Sequence, residues 1–213
     1  MPKHTHGIPA FLQSFSLCCI AVWWVLFLSW QPGVISFIES LSYRFEPPSI
    51  SSDTITSATN RALEYVNKGP AVIASDIFFT KDEVSHLHDV SVVYKGMRAI
   101  IGIGALCGWT ILIGVLFGKR QFSRQIFLQA RTIMLLLAFL TLVALIVFPF
   151  FFVAFHHVFF PQGNWEFPET SILIQLFPET FWKLMVGWVL TESLLFAALF
   201  HIIAHTIHQN ENP

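Results

Sequence analysis

The sequence predicts an all-α integral membrane protein, with four transmembrane helices and a small extracytoplasmic cap. Three observations carry that prediction. Of the 213 residues, 54% are hydrophobic and only 12% charged, about half the charge of an ordinary soluble domain. Four apolar stretches reach the length of about 20 residues that crosses about 30 Å of hydrocarbon. The bases between them are distributed unevenly, as membrane orientation requires. A formal net charge of −1 leaves no basic excess to neutralise phosphates, so nucleic acid is excluded as a partner.

The first stretch, residues 9–30, ends in Ser29-Trp30-Gln31-Pro32. It offers no small-x-small cleavage site and is longer than a signal h-region, so it reads as a retained anchor. The second, third and fourth stretches cover residues 99–118, 132–155 and 184–203, and the first three spans contain no charged residue. The loop between the second and third holds Lys119, Arg120, Arg124 and Arg131 with no acid. Residues 31–96 hold five bases and eight acids, and residues 156–183 one base and three acids. Positive loops stay in the cytoplasm, so both termini are expected there, Lys3 agreeing, and both longer segments outside. Trp24, Trp30, Trp109, Trp182 and Trp188 lie in or at the ends of the spans, and those near the ends suit interfacial anchors. Cys18, Cys19 and Cys107 all lie in apolar runs, where cysteine behaves as a small hydrophobe, so neither a disulfide framework nor a thiolate metal site is expected.

The outer segment 31–96 is too short to bury a large core alone and reads as a helical cap. Ser51-Ser52-Asp53 starts a stripe through Ala58, Ala62, Leu63 and Val66 that stops at Gly69-Pro70. Thr80 and Glu83 form a capping box, opening a helix at about Lys81 that no proline interrupts before the second span. In the other outer segment Pro161-Gln162-Gly163-Asn164 is turn chemistry. Ser171 to Phe177 is apolar but too short to span, and is expected to lie in the interface or re-enter. Pro178 and Glu179 suit the first turn of the fourth helix.

The nine histidines narrow the chemistry. His4, His6 and His208 read as solvated tail. His201 and His205 share a helical face at the inner end of the last span and read as interfacial, because no matching intramembrane pair exists to complete a metal or haem site. His86, His88 and Asp89 lie where an outer helix meets the bilayer, and His156 and His157 where the third span emerges. His86 and Asp89 share a face at i, i+3, and a carboxylate there can orient an imidazole. Paired imidazoles can divide acid and base roles near neutral pH. Glu192 lies about 15 Å deep, ten residues past Trp182. It is either a functional carboxylate or one paired with Thr, Ser or a cation. No serine-hydrolase elbow, P-loop or zinc-protease motif occurs.

Ser85-His86-Leu87-His88-Asp89-Val90, the run from Phe155 through His156, His157, Pro161, Gln162, Gly163 and Asn164 to Trp165, and Phe177-Pro178-Glu179-Thr180-Phe181-Trp182 resemble a small four-span bacterial family. It is that of the lipoprotein intramolecular transacylases. The resemblance covers nearly the whole chain. It implies an acyltransferase of the bacterial cytoplasmic membrane, with its active site at the outer leaflet. Its substrates would be lipoproteins whose N-terminal cysteine carries a diacylglyceryl group, with membrane lipid around them. The sn-2 acyl chain would move to that cysteine's own α-amine, giving a lyso-form lipoprotein.

By the same resemblance His86 and one histidine of the doublet are catalytic. His156 is favoured and His157 stays open. No cofactor and no metal is implied. The expected mechanism has His156 remove the amine proton while His86, oriented by Asp89, stabilises the oxyanion and returns a proton to the glycerol oxygen. Asn164 or Gln162 would add a neutral donor, with Trp165 alongside. Two alternatives stay open: a metal-binding membrane hydrolase using His86, His88, His156 and His157, and a non-enzymatic subunit with an outward partner-binding cap. Oligomeric state is not legible.

Overall fold

The computed structural model describes residues 7–69, 78–117 and 124–211, and all regular structure among them is helical. In order these helices are α1 (Gly7–Ser29), α2 (Pro32–Ser42), α3 (Ser52–Lys68), α4 (Lys81–Phe117), α5 (Arg124–Ile146), α6 (Phe148–Phe159), α7 (Ile172–Leu176) and α8 (Glu179–Glu211). Lys3, His4, His6, Pro70, Lys119 and Arg120 lie outside the described residues, as does the side chain of Cys107. The chain divides into two compact units. One gathers Met1–Trp30, Ala99–Val143 and Gly187–Pro213, the other Gln31–Arg98 and Ala144–Val186.

The first unit is built from long apolar helices. Among the described residues three helices are long and apolar enough to cross a membrane: α1 over Leu12–Ser29, α5, and α8 over Glu179–Gln209. Small residues let them approach closely. Cys18 and Ala21 of α1, Ala130 and Met134 of α5, and Ala197 and Ala204 of α8 are buried together, with Phe127 and Phe200 filling the space between. The end of α4 joins them through glycines one turn apart. A Cβ on Gly108 would stand 2.7 Å from the Ser16 carbonyl oxygen, and one on Gly104 would stand 3.2 Å from Cys19 Sγ. That is the small-xxx-small device of membrane helix packing. Buried Glu192 meets Ser29, whose Oγ lies 3.2 Å from Glu192 Oε2, which is the serine pairing anticipated for it. Ile100, Ile103, Leu136, Phe139, Leu195 and Ile202 are exposed, an apolar surface suited to lipid rather than water.

The third apolar stretch is not one helix. α5 ends at Ile146, Val147 takes φ −106°, ψ 35°, and α6 begins at Phe148 with a proline in its first turn. Pro149 explains the break: it has no N–H to give the carbonyl one turn back, and its ring would collide with it. As a first-turn residue it costs nothing, so the helix restarts there.

In the second unit α3 starts and stops where its sequence signals stand. The Ser51 hydroxyl accepts from Thr54 N at 3.2 Å, and Gly69 caps the far end at φ 96°. That φ is one only glycine adopts readily. The capping box opens α4: Thr80 N donates to Glu83 Oε2 at 2.8 Å and Glu83 N to Thr80 Oγ1 at 3.3 Å. α4 then runs unbroken for 37 residues. α2, which carries no comparably strong start signal, forms behind Pro32 and buries Ile35, Ile38 and Glu39.

Candidate active site

The second unit brings together α4, α6 and the turn that follows α6. His86, one turn into α4, and His156, in the last turn of α6, stack with ring centroids 6.2 Å apart and planes 20° from parallel. Aromatic side chains enclose the pair. Phe160 and Phe167 set their rings 4.9 and 5.6 Å from His86, and Phe152 and Trp165 lie 4.1 and 4.7 Å from His156. Helix geometry makes this possible, because Phe152 and His156 are one turn apart on the same face of α6.

Hydrogen bonding fixes the state of His156. Its Nδ1 lies 2.7 Å from the Phe152 carbonyl oxygen. A carbonyl only accepts, so Nδ1 carries the proton and Nε2 holds the basic lone pair. Burial lowers the pKa of His156 below the usual histidine value, partly offset by that same bond and assisted by the neighbouring His157. His86 is pushed down to about 4, first by burial and then by the nearby His156, against a smaller upward pull from Asp89. Both rings are therefore neutral at pH 7, one offering a base and the other an N–H donor.

Asp89 does not hold the His86 ring. Its Oδ2 instead accepts from Gln162 Nε2 and from Asn164 Nδ2, each at 2.6 Å. The second amide hydrogen of Asn164 goes to Ser85 Oγ at 3.2 Å. One carboxylate on α4 thus anchors the turn that carries Trp165, with Gly163 supplying the positive φ of 79° that the turn needs. The same bonds bear on the neutral donor expected of Asn164 or Gln162. Gln162 spends an amide hydrogen on Asp89, and Asn164 spends both of its own, leaving Oδ1 buried and unpartnered. His86 Nδ1 and Trp165 Nε1 are likewise buried without a partner.

Of the remaining candidates, His157 is exposed and only touches the edge of Trp165 at 5.7 Å. His88 is exposed on α4. The four imidazoles of the zinc alternative are not gathered, and among the described residues no three His, Cys, Asp or Glu side chains form a metal-binding group. His201 and His205 stand 6.5 Å apart, with Arg131 Nη1 3.2 Å from His201 Nδ1. In the sequence Glu83 carries only the signal of a cap. It is almost fully buried, and its second oxygen accepts from Leu173 N at 3.0 Å, tying α7 to α4 one turn before His86. The visible signal was the capping box, but its partner across 90 residues had none.

A family model described as lipoprotein intramolecular transacylase Lit matches residues 10–182. The chain belongs to the Lit family. That match takes in every residue of the stacked pair and of the anchored turn. Among solved structures, the membrane-integral Lit of Bacillus cereus is similar at a TM-score of 0.81, with 14% identity, covering 96% of each chain. A variant of the same Bacillus cereus Lit bearing a histidine-to-arginine substitution is similar at a TM-score of 0.75, with 14% identity, covering 96% of this chain and 92% of that one. At that identity the likeness concerns the fold. No curated protein matches the sequence.

Proposed function

We propose that this chain moves the sn-2 acyl chain of a diacylglyceryl-modified lipoprotein cysteine onto that cysteine's own α-amine, giving the lyso form. Membership of the Lit family makes it an intramolecular transacylase, an acyltransferase of lipoproteins integral to the membrane. The observation that carries the detailed reading is the stacked His86–His156 pair, with the His156 tautomer set by the Phe152 carbonyl.

An α-amine with a pKa of about 7.7 to 8.0 is already partly neutral, and His156 Nε2 is the base that takes its proton as nitrogen attacks the ester carbonyl carbon. His86, held neutral, donates an N–H to the carbonyl oxygen as charge develops there. The C–O bond to glycerol then breaks. The proton collected on His156 passes to the glycerol oxygen, so the imidazoles end as they began. The return step falls to His156 because a ring held at about 4 is a poor proton store at neutral pH. Nucleophile and ester belong to one molecule, so proximity replaces an acyl-enzyme and no serine or cysteine nucleophile is needed. Four spans, cytoplasmic termini and a site at the outer leaflet complete the reading. They rest on the apolar stretch 99–118 and on the basic inner loop.

Tandem mass spectrometry of the N-terminal lipopeptide of an abundant lipoprotein tests this, comparing cells with the wild type, without the protein, and with His86→Ala or His156→Ala. Intramolecular transfer conserves mass, so only fragments retaining an acyl group on the cysteine nitrogen report the product. Those fragments are expected with the wild type alone. Their presence in both histidine variants overturns the mechanism.

A further inference from the structure

Buried polar atoms in folded proteins almost always have partners, and each exception calls for a reason. Among the described residues three such atoms belong to this site: His86 Nδ1, Asn164 Oδ1 and Trp165 Nε1. Two of them sit on consecutive residues and have opposite polarity. An indole nitrogen only donates. Asn164 has given both amide hydrogens away, to Asp89 at 2.6 Å and Ser85 at 3.2 Å, so its orientation is locked and only its acceptor remains. Trp165 is also held in place, with its ring 4.7 Å from His156 and 5.7 Å from His157. A donor and an acceptor, both fixed and neither hydrogen-bonded, lie on consecutive residues, with the donor's ring beside the base.

We propose that Trp165 Nε1–H binds the carbonyl oxygen of the migrating acyl ester, and that Asn164 Oδ1 accepts an N–H of the substrate's α-amine. This deepens the transacylase reading and rests on it. The substrate class follows from the polarity of the two atoms: an unmodified primary amine next to an ester carbonyl, the two ends of the bond to be made. As nitrogen attacks, one N–H proton goes to His156 Nε2 and the other stays on Asn164. The carbonyl oxygen gains charge against the indole N–H and the His86 N–H together. The glycerol oxygen then leaves with the proton from His156, and the new N–C bond is an amide. Each of these atoms is covered by protein, so the substrate reaches it by displacing the side chains packed over this cluster.

The test is Trp165→Phe in the full chain, purified in detergent, with a synthetic diacylglyceryl-cysteine peptide bearing a free α-amine. Phenylalanine keeps an aromatic ring against His156 and removes only the donor. The expected result is a fall of about a hundredfold in kcat, the size of losing one oxyanion donor, with KM little changed and thermal stability equal or higher, since an unpartnered buried N–H has gone. Wild-type kcat overturns the proposal. So does a kcat loss accompanied by a lower melting temperature, which would give the N–H a structural partner.

An N-methylated substrate tests Asn164, because a secondary amine keeps one N–H for His156 and none for Oδ1. It is expected to slow the wild type more than Asn164→Ala, and equal slowing overturns the asparagine contact. His86→Ala and His156→Ala run in the same assay separate the two levels. Full turnover in those variants sinks the transacylase mechanism, whereas their inactivity beside an unimpaired Trp165→Phe sinks only the donor.

Discussion

Replacing Glu83 by alanine is expected to destabilise the protein by about 3 kcal/mol, although the residue is three positions from the nearest proposed catalytic group. Two backbone donors depend on its carboxylate: Leu173 N at 3.0 Å and Thr80 N at 2.8 Å. Hydrogen bonds to a charged acceptor contribute about 1.5 to 3 kcal/mol each. The Thr80 bond is only part-buried, so the lower end of the summed range applies. At about 2 to 4 °C per kcal/mol for a chain of this length, the melting temperature falls by roughly 6 to 12 °C.

Thr80→Ala is the internal control. It loses only the reciprocal bond of the capping box, 3.3 Å long, worth about 1 kcal/mol. Glu83→Gln falls between the two, because one amide oxygen can serve one donor while its NH2 faces the other. Thermal unfolding of the detergent-solubilised variants, followed by intrinsic tryptophan fluorescence, ranks the three. A Glu83→Ala loss no larger than that of Thr80→Ala would show that the bond to Leu173 contributes nothing, and that α7 is held by its apolar side chains alone.

Two further outcomes follow from protonation. The rate is expected to rise with pH along the α-amine's titration near 7.7 to 8.0 rather than along a histidine's, because burial has already moved His156 below the usual histidine value; an acid limb centred near 6.5 that is insensitive to the amine would contradict this. Glu39 is buried with Oε1 accepting from Thr59 Oγ1 at 2.8 Å, and burial raises its pKa to about 7 despite that bond. The native state therefore holds a proton that the unfolded chain releases. The associated stability is fully present below about pH 4.5 and is lost as pH rises through 7, on the order of 3 kcal/mol in all. Glu39→Gln is expected to flatten that slope in denaturation curves taken across the window, and an unchanged slope would place the titration elsewhere.

Local signals predicted local structure well. Ser51 and Gly69 delimit α3, and Thr80 with Glu83 opens α4, because caps satisfy backbone groups within four residues of themselves. The break between α5 and α6 was equally local, in Pro149, but an unbroken apolar run masked it, since hydropathy reports what lipid tolerates and not where a helix stops. The histidine pair was legible as residue types at corresponding depth. Its partners were not: the i, i+3 spacing that places Asp89 beside His86 is necessary for a bond, yet two amides from a turn more than 70 residues away reach the carboxylate instead. Periodicity describes which residues share a face, and says nothing about what arrives from another element to meet them.

That difference gives Asp89 a distinct role that can be separated by measurement. If its carboxylate oriented an imidazole, Asp89→Asn would disturb His86 and leave the turn alone. In the structure two donors converge on the same oxygen, so an asparagine there keeps both bonds only with its amide oxygen in that place, and keeps them as neutral bonds. Both bonds lose their charge assistance, and the partial exposure of the site holds the cost to about 1 to 2 kcal/mol. Hydrogen exchange across residues 162–165 is expected to accelerate, and kcat to fall with it, because Asn164 and Trp165 no longer stand where the anchored turn put them. A variant that loses turnover while exchange at 162–165 stays slow would restore Asp89 to the ring. Faster exchange with a matching loss of turnover would make the carboxylate a positioning residue, acting on the substrate through a turn it never leaves.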